Sequence, residues 1–134
     1  RKGEYRSISL FDNILLMLTD RVPNQCGMLG SCNMQFVVEA DGSVYPCDFY
    51  VLDEYCCGNV VEHSVEEIGN SDGWKRFWEK KNKTERSCED CPFWKICRGG
   101  CKRQQGSYLW EDGCAYREFL EYAYPTLQII AREI

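Results

Sequence analysis

The segment from Cys88 to Cys101, CEDCPFWKICRGGC, packs four thiols into fourteen residues. Thiolates are soft donors that bind zinc and iron–sulfur clusters, and the C-x2-C spacing of Cys88 and Cys91 is typical of a metal knuckle. Six further cysteines lie outside the segment: Cys26, Cys32 and Cys47, the adjacent pair Cys56 and Cys57, and Cys114. Setting the adjacent pair aside leaves eight, or two sets of four. Structural zinc and four-iron clusters both take four thiolates. Three of the eight lie upstream and five downstream, so one downstream thiol must join the upstream group. Spacing alone does not say which. The segment is therefore not expected to close on itself as a single site.

Ten cysteines in 134 residues is far above ordinary usage, so cross-links or metals are expected to supplement a small core. A secreted domain would use them as five disulfides. The knuckle spacing and the awkward adjacency of Cys56 and Cys57 favour thiolates on metal in a reducing compartment. A net charge of −5 and a pI near 4.9 argue against nucleic acid as the main partner, and the short basic run Arg98, Lys102, Arg103 does not overturn that. No apolar run reaches the ~20 residues needed to span a bilayer, so no membrane partner is expected. There is no secretory signal, and the start Arg1-Lys2-Gly3 lacks an initiator Met, as expected of a piece of a longer protein.

The elements that must carry these thiols are legible to different degrees. Ile8 to Leu18 has apolar residues at i, i+3, i+4 and i+7 and predicts a helix covered on more than one face. Pro23 and Gly27 mark a loop bearing Cys26 and Cys32. Met34–Glu39 and Val44–Cys47 are strand-like runs around Asp41-Gly42, a hairpin that would bring Cys32 and Cys47 close. Ser64-Val65-Glu66-Glu67 has the capping-box pattern of a short helix. Trp74, Phe77 and Trp78 predict a second helix over 71–81 with an aromatic core face. Arg86 to Gly113 has no periodicity and is expected to be irregular, organised by whatever its cysteines bind. Tyr116 to Ile134 reads as a helix kinked or broken at Pro125. The fold class is small, irregular α+β: a hairpin and short helices around two four-cysteine sites, with a C-terminal helix.

The residues also carry a resemblance. Cys32, nine residues, Gly42, four residues, Cys47, then Cys88-x2-Cys91-x5-Cys97-x3-Cys101 and a last Cys114 resemble the SPASM domain. That is the C-terminal auxiliary-cluster domain of many radical S-adenosylmethionine (SAM) enzymes. Gln35–Glu39, Asp41–Asp53, Gly58-Asn59 and Phe119-x2-Tyr122-Ala123-x-Pro125 are similar to the anaerobic sulfatase-maturating enzymes. The resemblance covers essentially the whole chain.

It implies two fully ligated [4Fe–4S] clusters. The first would use Cys26, Cys32, Cys47 and Cys101, the second Cys88, Cys91, Cys97 and Cys114. Such crossing agrees with the three-and-five count, and each cluster would staple distant segments together. A cluster with no open iron binds neither substrate nor SAM, which points to electron transfer or structure. The SAM-binding cluster needs C-x3-C-x2-C; Cys97-x3-Cys101 begins that pattern, but residue 104 is Gln. SAM and a third cluster would thus belong to the N-terminal radical SAM barrel of the same polypeptide, with residues 1–20 as the tail of the barrel side. Residues 21–115 would form the SPASM domain and 116–134 a helix packed on it. The fragment alone should be inactive.

In sulfatase maturation a substrate Cys or Ser becomes Cα-formylglycine after a 5′-deoxyadenosyl radical removes a β-hydrogen. The implied base is Asp48, and the implied partner is a sulfatase peptide, in the cytoplasm of an anaerobic or facultative bacterium. Without the resemblance, Asp48 reads as a loop cap. The competing readings are a zinc module using the same thiols, which an isolated fragment could also become, the SPASM domain of another peptide-modifying radical SAM enzyme, and last a disulfide-rich domain. Cys56 and Cys57 read as spare thiols and His63 as an exposed side chain. Gly99-Gly100 would let the backbone pass close to a cluster rather than bind phosphate. Asn82-Lys83-Thr84 is a sequon without meaning in a cytosolic protein.

Overall fold

The computed structural model describes residues 6–80, 88, 90–111 and 113–134. Its helices are α1 (Ser9–Leu18), α2 (Val65–Gly69), α3 (Asp72–Glu79), α4 (Trp94–Cys97), α5 (Gln105–Tyr108) and α6 (Ala115–Ala131). Its strands are β1 (Val37–Val38), β2 (Ser43–Tyr45), β3 (Gly58–Asn59), β4 (Leu109–Trp110) and β5 (Gly113–Cys114). This is a small α+β chain of short elements with one long C-terminal helix. It divides into two units, Arg1–Cys32 with Asn82–Ile134, and Asn33–Lys81.

The first unit is organised by α1 and α6. The apolar period of α1 buries Ile14 completely, beside Met28, Phe93, Ile96, Leu120 and Leu127. Each fully buried side chain of this size is worth about 1.5–3 kcal/mol. Phe11 of α1 meets Phe119 of α6 with ring centroids 5.9 Å apart. A lone amide sits inside this apolar surface: Asn13 is buried, its Nδ2 donating to Ser9 O at 2.7 Å. Its Oδ1 accepts from Gln25 N at 2.9 Å. The helix thereby fixes the residue immediately before Cys26.

Two expectations for this unit need correction. Helix α6 is not broken at Pro125 but runs through it for 17 residues. An internal proline costs about 3 kcal/mol. Leu120 and Leu127, buried on either side, hold the helix continuous against that cost. The stretch from Arg86 to Gly113 is not wholly irregular, because α4, α5 and the β4–β5 hairpin fall within it. Each of those helices has four residues, about one turn, so no apolar period can register. The sequon and the expected helix end at Lys81 lie outside the described residues.

The second unit is built on the hairpin. β1 and β2 pair antiparallel, Val37 opposite Tyr45 and Val38 opposite Val44. The turn requires Gly42 at φ 85°, and Asp41 Oδ1 accepts from Ser43 N at 2.9 Å. The strands are shorter than expected, Met34–Phe36 lying outside β1, and an unexpected β3 adds to the other edge of β2. The capping box is present: Ser64 Oγ accepts from Glu67 N at 3.3 Å, and Glu67 Oε2 accepts from Ser64 N at 2.8 Å. Helix α3 begins at a second serine cap, Ser71. Trp74 and Phe77 are core residues as expected, but Trp78 is 43% exposed, packing edge-on against the Trp74 and Phe77 rings. Cys57 is buried with Val44, Ile68 and Trp74, whereas Cys56 and His63 are exposed.

Helix α3 approaches its own unit closely at Gly73, where a Cβ would collide with the backbone carbonyl of Cys56. Gly73→Ala should therefore lower stability by about 2 kcal/mol. Gly69→Ala, with nothing within 4 Å, should leave it unchanged or slightly higher. Thermal unfolding of the two variants reads the difference, and equal midpoints would refute the close approach.

Candidate metal centre

Four cysteines meet at one cavity of about 70 Å³: Cys88, Cys91, Cys97 and Cys114. Different local devices deliver each sulfur. The knuckle is a tight turn, with Cys91 N donating to Cys88 O at 3.3 Å. Cys97 ends α4, whose start is fixed by Trp94 N donating to Cys91 O at 3.0 Å. Cys114 ends β5 and caps α6, its Sγ accepting from Arg117 N at 3.4 Å. The positive end of a long helix thus faces this sulfur. Phe93, Trp94 and Leu120 supply apolar wall, and among the described residues no carboxylate lines the cavity.

After α4 the chain reverses through three left-handed residues, Arg98 (φ 49°), Gly99 (φ 82°) and Gly100 (φ 68°). Two glycines at this bend fit the expected change of direction, since only Gly takes such angles without strain. The bend is pinned at the Gly99 carbonyl, which accepts from Gln105 Nε2 at 2.5 Å and Tyr108 Oη at 3.1 Å. Gln105 is buried and was not singled out by pattern. The Gly99 N–H donates to the Cys97 sulfur.

Beyond the bend, Cys101 does not line that cavity. Its Cβ lies 3.1 Å from where a Cβ on Gly27 would stand, so the residue after Cys26 must be small for the two loops to meet. Cys32 belongs to the same neighbourhood. Burial raises its thiol pKa, the Lys102 ammonium opposes that rise, and the Cys101 and Cys26 thiols add to it. Three thiols of the expected first set, Cys26, Cys32 and Cys101, thus gather within one unit. Cys47 is carried by the other unit, following β2, and its Sγ donates to Asp48 Oδ1 at 3.4 Å. Asp48 is exposed, and among the described residues no backbone amide donates to its carboxylate.

Electrostatics show what the four-thiol cavity requires. Burial first, and then the neighbouring Cys114, Cys88 and Cys91 thiols, push the Cys97 thiol up to about 11, against the Gly99 hydrogen bond. Four thiolates cannot coexist there without a compensating cation. The donor set fits an iron–sulfur cluster: four sulfurs, N–H donors to two of them, and a largely apolar wall. Among the described residues no three Cys, His, Asp or Glu side chains converge closely enough for a single ion.

Fold and site together define a small α+β domain in which four cysteines line one cavity. Residues 26–92 match the SPASM family, an iron-sulfur cluster-binding domain. The cysteine-type anaerobic sulfatase-maturating enzyme of Clostridium perfringens (strain 13 / Type A) is 40% identical over 140 residues, covering 98% of this chain and 37% of that enzyme. The serine-type enzyme of Bacteroides thetaiotaomicron is 27% identical over 136 residues, covering 95% and 33%. The solved structure of native anSMEcpe with bound AdoMet and Kp18Cys peptide superposes with a TM-score of 0.79 at 38% identity, covering 98% of this chain and 38% of that one. The chain belongs to the SPASM family, in the form carried by anaerobic sulfatase-maturating enzymes, and spans about a third of the length of those curated relatives.

The Cys97 environment has a measurable consequence in metal-free protein. With a pKa of about 11, its thiolate fraction at pH 8 is roughly one in a thousand. Alkylation of Cys97 by iodoacetamide, followed by peptide mass spectrometry, should rise about tenfold per pH unit until near pH 11. A plateau between pH 8 and 9 would contradict this burial.

Proposed function

We propose that this chain is the auxiliary-cluster part of a radical SAM sulfatase maturase, which converts a cysteine of a target sulfatase to Cα-formylglycine. The gathering of Cys88, Cys91, Cys97 and Cys114 around one cavity carries this reading. The higher identity to the cysteine-type enzyme, 40% against 27% for the serine-type one, favours a cysteine target. Those four residues hold one [4Fe–4S] cluster; Cys26, Cys32, Cys47 and Cys101 hold the other. Bound clusters with four thiolates each supply one-electron transfer and offer no open iron. Residues 1–20 continue from an N-terminal barrel that binds SAM and a third cluster, residues 21–115 carry the auxiliary clusters, and residues 116–134 pack on them. The domain relays the electron released by substrate oxidation and helps seat the target peptide, in the cytoplasm of a bacterium, where thiols stay reduced.

Asp48 acts as the base. Its exposed carboxylate accepts the proton of the substrate thiol as the electron leaves. In the whole enzyme Asp48→Asn should reduce formylglycine formation by at least about a hundredfold while iron content stays constant. Near-normal turnover would remove Asp48 from this role.

Metal analysis tests the cluster reading. Anaerobically purified protein should contain about eight iron and eight acid-labile sulfide per chain and be coloured. About two zinc and no colour would establish a zinc module instead, and loss of hydrogens by intact mass without metal a disulfide-rich domain. Cys101→Ala should remove about half of the iron and leave the Cys88, Cys91, Cys97 and Cys114 site intact. Loss of that site alone would overturn the ligand assignment.

A further inference from the structure

Tyr116 stands on the first turn of α6, two residues after Cys114, and lines the four-thiol cavity. Its hydroxyl oxygen is buried and has no hydrogen-bond partner among the described residues. A buried hydroxyl left unpaired loses its bonds to water with nothing in return, so such an atom points to a missing acceptor. The phenol is a donor at neutral pH, and the cavity it faces is walled by sulfur.

Four of the other donors around this cavity are already engaged. Tyr108 Oη and Gln105 Nε2 both donate to Gly99 O, the Gly99 N–H donates to Cys97, and the Arg117 N–H donates to Cys114. Tyr108 and Tyr116 thus share a wall, with ring centroids 6.1 Å apart, yet one hydroxyl is spent on backbone and the other is not. Phe119 stacks on the Tyr116 ring at 6.1 Å and 15°, which holds its direction from a second side.

We propose that the Tyr116 O–H donates a hydrogen bond to a sulfur of the group held by Cys88, Cys91, Cys97 and Cys114, and so raises the reduction potential of that cluster selectively. This rests on the cluster reading above. Reduction adds negative charge that spreads onto the sulfurs, so a donor there stabilises the reduced form more than the oxidised one. Tyr116 is a tuning residue of an electron-transfer site, separate from the proton chemistry assigned to Asp48.

The test uses the full chain with both clusters, and iron and sulfide are counted in the wild-type protein first. Absence of iron there refutes the cluster reading itself, before any variant is compared. Redox titration followed by electron paramagnetic resonance then gives each midpoint, and Cys101→Ala, keeping only this cluster, assigns the signals. Tyr116→Phe removes one O–H and keeps the ring. It should shift the ratio of reduced to oxidised cluster about tenfold at fixed potential, a fall of ~59 mV for one electron. Iron content and the other midpoint should not change. Incorporation of 3-fluorotyrosine at position 116, a more acidic donor, should move the same midpoint upward, and Tyr124→Phe on the same helix should move neither. A fully loaded Tyr116→Phe protein with the wild-type midpoint overturns the proposal. So does a shift of the same sign with phenylalanine and fluorotyrosine, which would mark an effect of packing.

Discussion

Four sulfurs around one small cavity cannot all be charged on their own. Burial and mutual repulsion hold the Cys97 thiol at about 11, so the protonated, metal-free state is a compromise the fold tolerates rather than one it is shaped for. The surrounding features make sense as answers to that constraint. Cys114 is placed at the positive end of a 17-residue helix, and a backbone N–H is turned toward Cys97. Partial positive charge from the backbone lowers the cost of assembling thiolates without placing a full charge beside them.

The reversal at Arg98, Gly99 and Gly100 separates the two groups of thiols. It directs Cys97 to the cavity and Cys101 toward Gly27, only four residues later in the chain. Gln105 and Tyr108 grip the Gly99 carbonyl from the following helix, so the bend is held by the segment it leads into. Far away in sequence, Asn13 anchors Gln25 and with it the approach to Cys26. The thiol loops are therefore positioned by polar contacts from helices whose apolar faces form the core.

Much of the site was legible because thiol chemistry is counted rather than shaped. The thiols that line the cavity and the glycine pair at the bend were both singled out by residue type and spacing, and the hairpin and capping box follow from local turn chemistry. What escaped is what depends on tertiary partners. The strand β3 is two residues long and exists because β2 has a free edge. Helices α4 and α5 are single turns without a period. Pro125 looked like a break because local propensity knows nothing of Leu120 and Leu127. Asn13 left one trace, an amide within an apolar stripe, while Tyr108 and Tyr116 are indistinguishable in sequence although their hydroxyls have different fates.

The spacing of the thiols also bears on the order of assembly. Cys88 and Cys114, the ends of the cavity set, are only 26 positions apart, whereas Cys32 and Cys101 are 69 apart. Shorter separations close sooner, and elements with local contacts form earliest. As the chain leaves the ribosome, Cys26, Cys32 and Cys47 emerge long before any downstream partner exists, exposed and able to capture the wrong metal or each other. The late, local set of thiols can gather almost as soon as α6 appears. Cys101, four residues from Cys97, then reaches the neighbourhood of Cys26 and Cys32 on a bend already pinned at the Gly99 carbonyl.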